Sequence, residues 1–375
     1  MNKKNKYITV TKPFLPELKE FIPYLESIWD KKWVTNNGQL HQRLEYELED
    51  FLGVKYVSLC TNGTLALMLA LKALDITGEV ITTPFSFIAT SHAIVWNNAT
   101  PVFCDIDEKT FNIDPDKIEK LITDKTTTIM PVHVYGNPCD NEKIQAIARR
   151  YDLALIYDAA HAFQVKKDKQ SILTWGDISV LSFHATKVFN TFEGGAVICH
   201  TQEMKQKVDD LKNFGIHGET EVVTTGINAK MNEVQAAMGL LQLKYIDSNI
   251  IKRKIIADLY IENLKSVPGL SLFSYLPGVD ANYSYFPVLI DENVYGKSRD
   301  FLYEVFKEQN IFTRRYFYPL ISQFPMYSHL ASARPDNLPI AERIASQILC
   351  LPIYPELLPD DTSRICSIIK DGFRK

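Results

Sequence analysis

The chain has 375 residues, 46% of them hydrophobic and 23% charged, a globular balance with room for one large and one smaller domain. Forty-one basic residues against forty-five acidic ones leave a net charge of -4, which gives no electrostatic case for nucleic acid or an anionic membrane. The six cysteines lack CxxC or zinc-like spacing and sit mostly in apolar runs, which argues for buried free thiols in a reducing cytoplasm. The opening MNKKNKYITVTKP has lysines but no apolar stretch behind them, so it is not expected to act as a secretory signal, and no segment approaches a membrane span.

After an extended arm, residues 17–33 show helical spacing through Phe21, Leu25, Ile28 and Trp29. The turn-forming WVTNNG (33–38) breaks it, and a second helix over Leu44, Leu48, Phe51 and Leu52 ends at Gly53. A strand at 55–60 then runs into Thr61-Asn62-Gly63-Thr64 and a strong helix former, LALMLALKAL. A strand, a small polar turn and a helix N-terminus make an anion site, because free amides and the helix dipole point at one spot. Plain helix capping by Thr64 explains the same turn.

Strand and helix signals alternate from there. Strands are predicted at 79–83, 101–105, 128–133 and 153–157, with helices at 87–96, 115–122 and 142–150 between them. This is the signature of an α/β protein, a mostly parallel sheet flanked by helices. In such folds ligands collect beyond the carboxyl ends of the strands. Three polar stretches fall there: residues 61–64, Asp158 to His161, and Ser182 to Lys187. Their convergence argues for one site built from separated segments.

DISVLSFHATKVFNTFEGGAVIC (177–199) reads as an apolar strand, a turn carrying Lys187, and a glycine-opened second strand. A lysine among apolar neighbours loses solvation for its charge, so its pKa falls and a nucleophilic amine becomes available. Asp158 at a strand end could bind a metal, act as a base, pair with a cationic ring, or simply cap a helix. No carboxylate or histidine cluster has metal spacing, so no metal is expected. Lysine, carboxylate, phosphate cradle and flat aromatic are the needs of pyridoxal phosphate. Lys187, Asp158, residues 61–64 with Ser182, and Phe87 can supply them.

Beyond Ala237 the character changes. Helical spacing runs from 232 to about 264 and is best divided near Asp247 and Ser248. Strands at 270–273, 284–290 and 311–313 and helices at 301–306, 340–349 and 362–371 follow. The expected division is therefore a large α/β domain over 1–245, with the N-terminal arm, and a smaller C-terminal α+β domain over 246–375.

The blocks TNGTLAL (61–67), TTPFSFIAT (82–90), DIDEKTFNID (105–114), PVHVYGNPCD (131–140), YDAAHAF (157–163), SFHATKVFNTFEGGA (182–196) and GINAKMNEVQAA (226–237) occur in order. Together they resemble the DegT/StrS-type sugar-nucleotide aminotransferases, in fold type I of the pyridoxal phosphate enzymes. The resemblance covers nearly the whole chain and implies a role for each matching position. Lys187 matches the catalytic lysine, which holds the cofactor as a Schiff base and moves the proton to and from the substrate's amino carbon. Asp158 matches the carboxylate on the ring nitrogen, Phe87 the stacked aromatic, and His161 the residue near the 3-hydroxyl. Gly63, Thr64 and Ser182 match the phosphate cradle, and Asn228 a residue reaching the phosphate from the other subunit of a homodimer. His133 and His184 are expected to be structural or peripheral.

Relatives that dehydrate their substrate carry histidine at the lysine position, so Lys187 implies transamination. The resemblance is greatest to enzymes that aminate C4 of dTDP-4-keto-6-deoxyglucose with L-glutamate, in the synthesis of surface-polysaccharide sugars. Amination at C3 of a dTDP-linked 3-keto-6-deoxyhexose is the alternative. A non-catalytic pyridoxal-phosphate-binding regulator on the same fold is the reading from another class. TRRYFYPL (313–320) resembles the segment at the sugar-nucleotide end of the site. It places Arg315 and Tyr316 there, with Arg314 and Arg315 as partners for a diphosphate or as a solvated basic turn. Asn37 and Gly38 join them as substrate-side residues by resemblance.

Overall fold

A computed structural model describes residues 7–374. The lysine-bearing start of the chain, residues 1–6, lies outside the described residues. The large sheet has seven strands: β1 (Tyr56–Cys60), β2 (Glu79–Thr82), β3 (Thr100–Phe103), β4 (Thr126–Ile129), β5 (Ala154–Asp158), β6 (Ile178–Ser182) and β7 (Gly195–Cys199). Their spatial order is β1-β7-β6-β5-β4-β2-β3. All neighbours are parallel except β7, which runs antiparallel to both β1 and β6. The exception has a local cause. No helix intervenes between Ser182 and Gly195, and a parallel return needs a longer crossover.

Alternate residues of the central strands feed two apolar layers. Leu59, Leu181, Ala196 and Ile198 pack with Leu44, Leu48 and Leu240, while Val180, Val197 and Cys199 pack on Leu67 and Leu71 of the opposite face. A strand buried on both faces reads as a near-continuous apolar run, which is why GAVIC is apolar throughout and ISVL is broken only by the buried Ser179. All six cysteines are free and buried. No described helix is long and apolar enough to cross a membrane.

The paired helices near residue 245 are Glu233–Leu243 and Ile246–Leu264, so the break, at Lys244–Tyr245, falls three residues before the Asp247–Ser248 expected from sequence. The second helix packs on a three-stranded antiparallel sheet of Leu270–Leu272, Phe286–Ile290 and Ile348–Leu351. That last strand corrects the helix expected over 340–349. The helix is Pro339–Gln347, and the buried run ILCL pairs with Phe286–Ile290 instead. The N-terminal arm joins this part too, with Ile8 and Thr9 paired parallel to Ile311 and Phe312.

Candidate active site

β1 ends at Cys60, and helix Gly63–Ala73 starts three residues later. The side chain of Asn62 accepts the Leu65 amide hydrogen at 2.9 Å, so Asn62 is the cap, where the sequence had offered Thr64. Thr64 is left exposed on a cavity wall. Gly195 pairs with both Cys60 and Ser182, and so brings β6 alongside the helix terminus. A Cβ on Gly63 would stand 2.8 Å from the Cβ of Ser182. Only glycine lets the first-turn amides and the serine hydroxyl line one concavity, and that concavity suits an anion.

The cavity floor is the end of β5. Asp158 is 4% exposed and accepts from the Thr90 hydroxyl at 2.8 Å and the Ala160 amide at 3.1 Å. The Ala160 bond forms a turn at the strand end, the Thr90 bond ties it to a distant segment, and no helix follows, so the capping reading of Asp158 falls away. Burial raises its pKa, while Thr90, Ala160 and the Lys187 charge oppose that shift. Thr90 accepts in turn from Ser86, 3.0 Å away, because its own hydrogen is committed to the carboxylate. His161 is buried beside Asp158. Its Nδ1 accepts the Tyr135 amide hydrogen at 3.2 Å. Burial, then Lys187, hold its pKa well below the usual histidine range, so the ring is neutral with its hydrogen on Nε2.

Lys187 sits on the turn after β6, and its amide closes on the His184 carbonyl at 2.8 Å. Phe183 and Phe189 anchor the turn at either side. Phe189 stacks on Phe163 with ring centres 4.3 Å apart and meets Phe183 edge-on at 4.9 Å. The Lys187 side chain keeps some access from the cavity, yet burial lowers its pKa to about 8, against the pull of Asp158. A substantial share of the amine is therefore neutral near physiological pH.

One cavity of about 700 Å³ brings together Gly63, Thr64, Phe87, Asp158, His161, Ser182, Lys187 and Tyr316. Phe87 is 59% exposed within it and is no core aromatic. Four other expected residues are not brought there. Asn228 is exposed on the stretch that pairs with Asn213. Asn37 is exposed at a separate small cavity, and Gly38 lies against the Glu233 carboxylate, which accepts the Leu40 and His41 amides. Arg315 pairs with Asp300 at 2.8 Å and lies over the rings of Tyr303 and Tyr318. His133 is structural, as expected: fully buried, stacked on Tyr157 and accepting the Cys139 amide. His184, expected with His133 to be structural or peripheral, lines the cavity, as do Thr90, Glu193, Tyr285 and Phe317. Thr90 lay inside a quoted motif, but its partner is 68 residues away, and no local spacing signals that contact.

The residues fit pyridoxal phosphate on their own chemistry. The glycine-shaped concavity at a helix terminus takes a phosphate, the buried carboxylate takes a protonated ring nitrogen, and the partly neutral amine takes a carbonyl. Fold and cavity together define a pyridoxal-phosphate-dependent transferase. Within that class the chain belongs to the DegT/DnrJ/EryC1/StrS aminotransferase family, whose sequence pattern matches residues 17–370.

It is 53% identical to the dTDP-4-amino-4,6-dideoxy-D-glucose transaminase of Escherichia coli, over 97% of this chain and 98% of that one. DesI, solved in the presence of its TDP-sugar product, superposes with a TM-score of 0.94 at 33% identity, covering 98% of this chain and 93% of that one. NtdA of Bacillus subtilis, solved with bound cofactor PMP, superposes at 0.87 with 29% identity, over 100% of this chain and 87% of that one. The protein is a pyridoxal-phosphate-dependent sugar aminotransferase, and the regulatory reading gives way to an enzymatic one.

Proposed function

We propose that this enzyme aminates C4 of dTDP-4-keto-6-deoxy-D-glucose with L-glutamate as donor and releases the 4-amino-4,6-dideoxy sugar nucleotide. The observation that carries the reading is the 53% identity to a dTDP-4-amino-4,6-dideoxy-D-glucose transaminase over nearly the whole of both chains. The complete lysine, carboxylate and anion-cradle set supports it.

Pyridoxal phosphate, when bound, supplies a carbonyl that takes up amines and a ring that draws electrons from the substrate's amino carbon. Gly63, Thr64 and Ser182 would hold its phosphate, and Phe87 would cover its ring. Asp158, fixed by Thr90 and Ala160, would keep the ring nitrogen protonated. His161, its Nδ1 committed to the Tyr135 amide, would have its Nε2 hydrogen to offer the cofactor. Lys187 moves the proton at the amino carbon, removing it from glutamate in one half-reaction and delivering it to the sugar in the other. Its lowered pKa suits both directions near neutral pH.

A second copy of the chain completes the site. Asn228, Asn37 and Gly38 stand outside this chain's own cavity, which supports the reading that Asn228 serves the phosphate site of the other subunit. Tyr316 lines the cavity, and its neighbour Arg315, paired here with Asp300, is the proposed partner for the diphosphate. The division expected at 245 suits the site itself, with the cofactor residues from Gly63 to Lys187 before it and Tyr285, Tyr316 and Phe317 after it, while the arm at Ile8 and Thr9 goes with the C-terminal part. The buried free thiols suit a cytoplasmic enzyme.

The test is chemical. Holoenzyme with glutamate and dTDP-4-keto-6-deoxyglucose should yield an amine at C4, read by NMR of the isolated product. An amine formed only from a 3-keto isomer, at C3, would keep every cofactor residue and overturn the substrate.

A further inference from the structure

Glu193 and His184 line the same cavity as Lys187, and no role above uses them. The Glu193 backbone is clamped: its carbonyl accepts from the Thr191 hydroxyl at 2.8 Å and from the Gln235 side-chain amide at 2.5 Å. Gln235 is itself locked in the capping box that opens helix Glu233–Leu243. A Cβ on Gly195 would come within 2.8 Å of the Asn62 carbonyl and the Gly63 amide, so this turn packs directly on the anion cradle. The fold thus fixes the backbone that carries Glu193 against the anion cradle and leaves its carboxylate on the cavity wall. A tight ion pair does not account for it. The His184 Nε2 lies 3.6 Å from Glu193 Oε1, and the two side chains are 47% and 59% exposed.

The imidazole is oriented from its other side. Its Nδ1 accepts the Thr186 amide hydrogen at 3.2 Å and lies 2.8 Å from the Thr186 hydroxyl. In the neutral ring Nε2 then carries the hydrogen, aimed at the carboxylate. A donor and an acceptor at this spacing complement a hydroxyl, which accepts from the imidazole and donates to Glu193. Of the two substrates only the sugar carries hydroxyls. Glutamate brings two carboxylates, which Glu193 repels.

We infer that Glu193 and His184 grip a ring hydroxyl of the keto sugar and so fix which ring carbon faces Lys187. The inference rests on the sugar-nucleotide reading above and deepens it by dividing the cavity wall between the two half-reactions. Glu193→Gln and His184→Asn holoenzymes test it, with the cofactor's absorbance followed first with glutamate alone and then, starting from the glutamate-aminated enzyme freed of glutamate, with dTDP-4-keto-6-deoxyglucose. The glutamate half-reaction should keep its wild-type rate, while kcat/KM for the sugar falls by about 10- to 100-fold in Glu193→Gln, the loss of a charge-assisted hydrogen bond, and by about 3- to 10-fold in His184→Asn, the loss of a neutral one. Calorimetry should show the same loss for the amino-sugar product and wild-type affinity for dTDP alone. Equal loss in both half-reactions, or none with the sugar, would overturn the inference. A wild-type enzyme that leaves this sugar unaminated would instead overturn the substrate reading on which it rests.

Discussion

The floor of the cavity and its outer residues are built differently. On the floor, Asp158, Thr90, Ser86 and His161 are all buried, and each has its bonding partner inside the same chain. Of the outer set, Asn228 and Asn37 are exposed on other parts of the surface, and Arg315 is committed to Asp300. A buried carboxylate without partners would be costly, so the floor must be complete within one folded chain. Surface residues carry no such demand and can be left for a second copy to use.

That contrast orders the expected effects of substitution. Lys187→Ala removes the proton-moving group, and kcat should fall by about 10³-fold or more while the cofactor still binds. Steady-state turnover with any accepted sugar measures it, and retained turnover would break the assignment of the floor. Thr90→Val keeps the shape but strips one hydrogen bond from Asp158, a charge-assisted bond that contributes about 1.5–3 kcal/mol. Cofactor retention should weaken by about tenfold or more on that basis, with Thr90→Ser restoring it. A Val variant that holds cofactor like the wild type would show that Asp158 needs no help from the hydroxyl.

The smallest effect is a pH dependence of stability in the cofactor-free protein. Lys187 has a folded pKa of about 8 against an ordinary 10.5, so between those values the unfolded chain binds the extra proton. Stability therefore rises with pH across that window, relative to a Lys187→Met variant, and below about 8 the folded lysine carries its full penalty. Denaturant melts of both proteins at several pH values check the sign. A falling difference would mean that Asp158 outweighs burial.

The same contrast governs what the sequence discloses. The floor was legible because strand ends and their polar turns are local features: Asp158 closes ALIYD, Lys187 follows ISVLS, and Gly63 opens a helix after YVSLC. Thr90 was not, since its contact depends on how the segment after β2 packs across to β5. Tyr285 and Phe317 come from the C-terminal part and reach the cavity only through its docking. Glu193 stood in a recognised motif, but its placement depends on Gln235, 42 residues on. The helix expected over 340–349 failed for a related reason. ILCL is apolar at every position, and periodicity alone cannot separate a buried strand from a helix end.

Subunit complementation tests the contrast most directly. Lys187→Ala and Asn228→Ala chains, each impaired alone, would be unfolded, mixed and refolded together. If Asn228 serves the other subunit's cavity, each mixed dimer contains one intact site, and random pairing should restore about a quarter of wild-type activity. Activity no higher than the mean of the two parents would contradict the account and confine the site to a single chain.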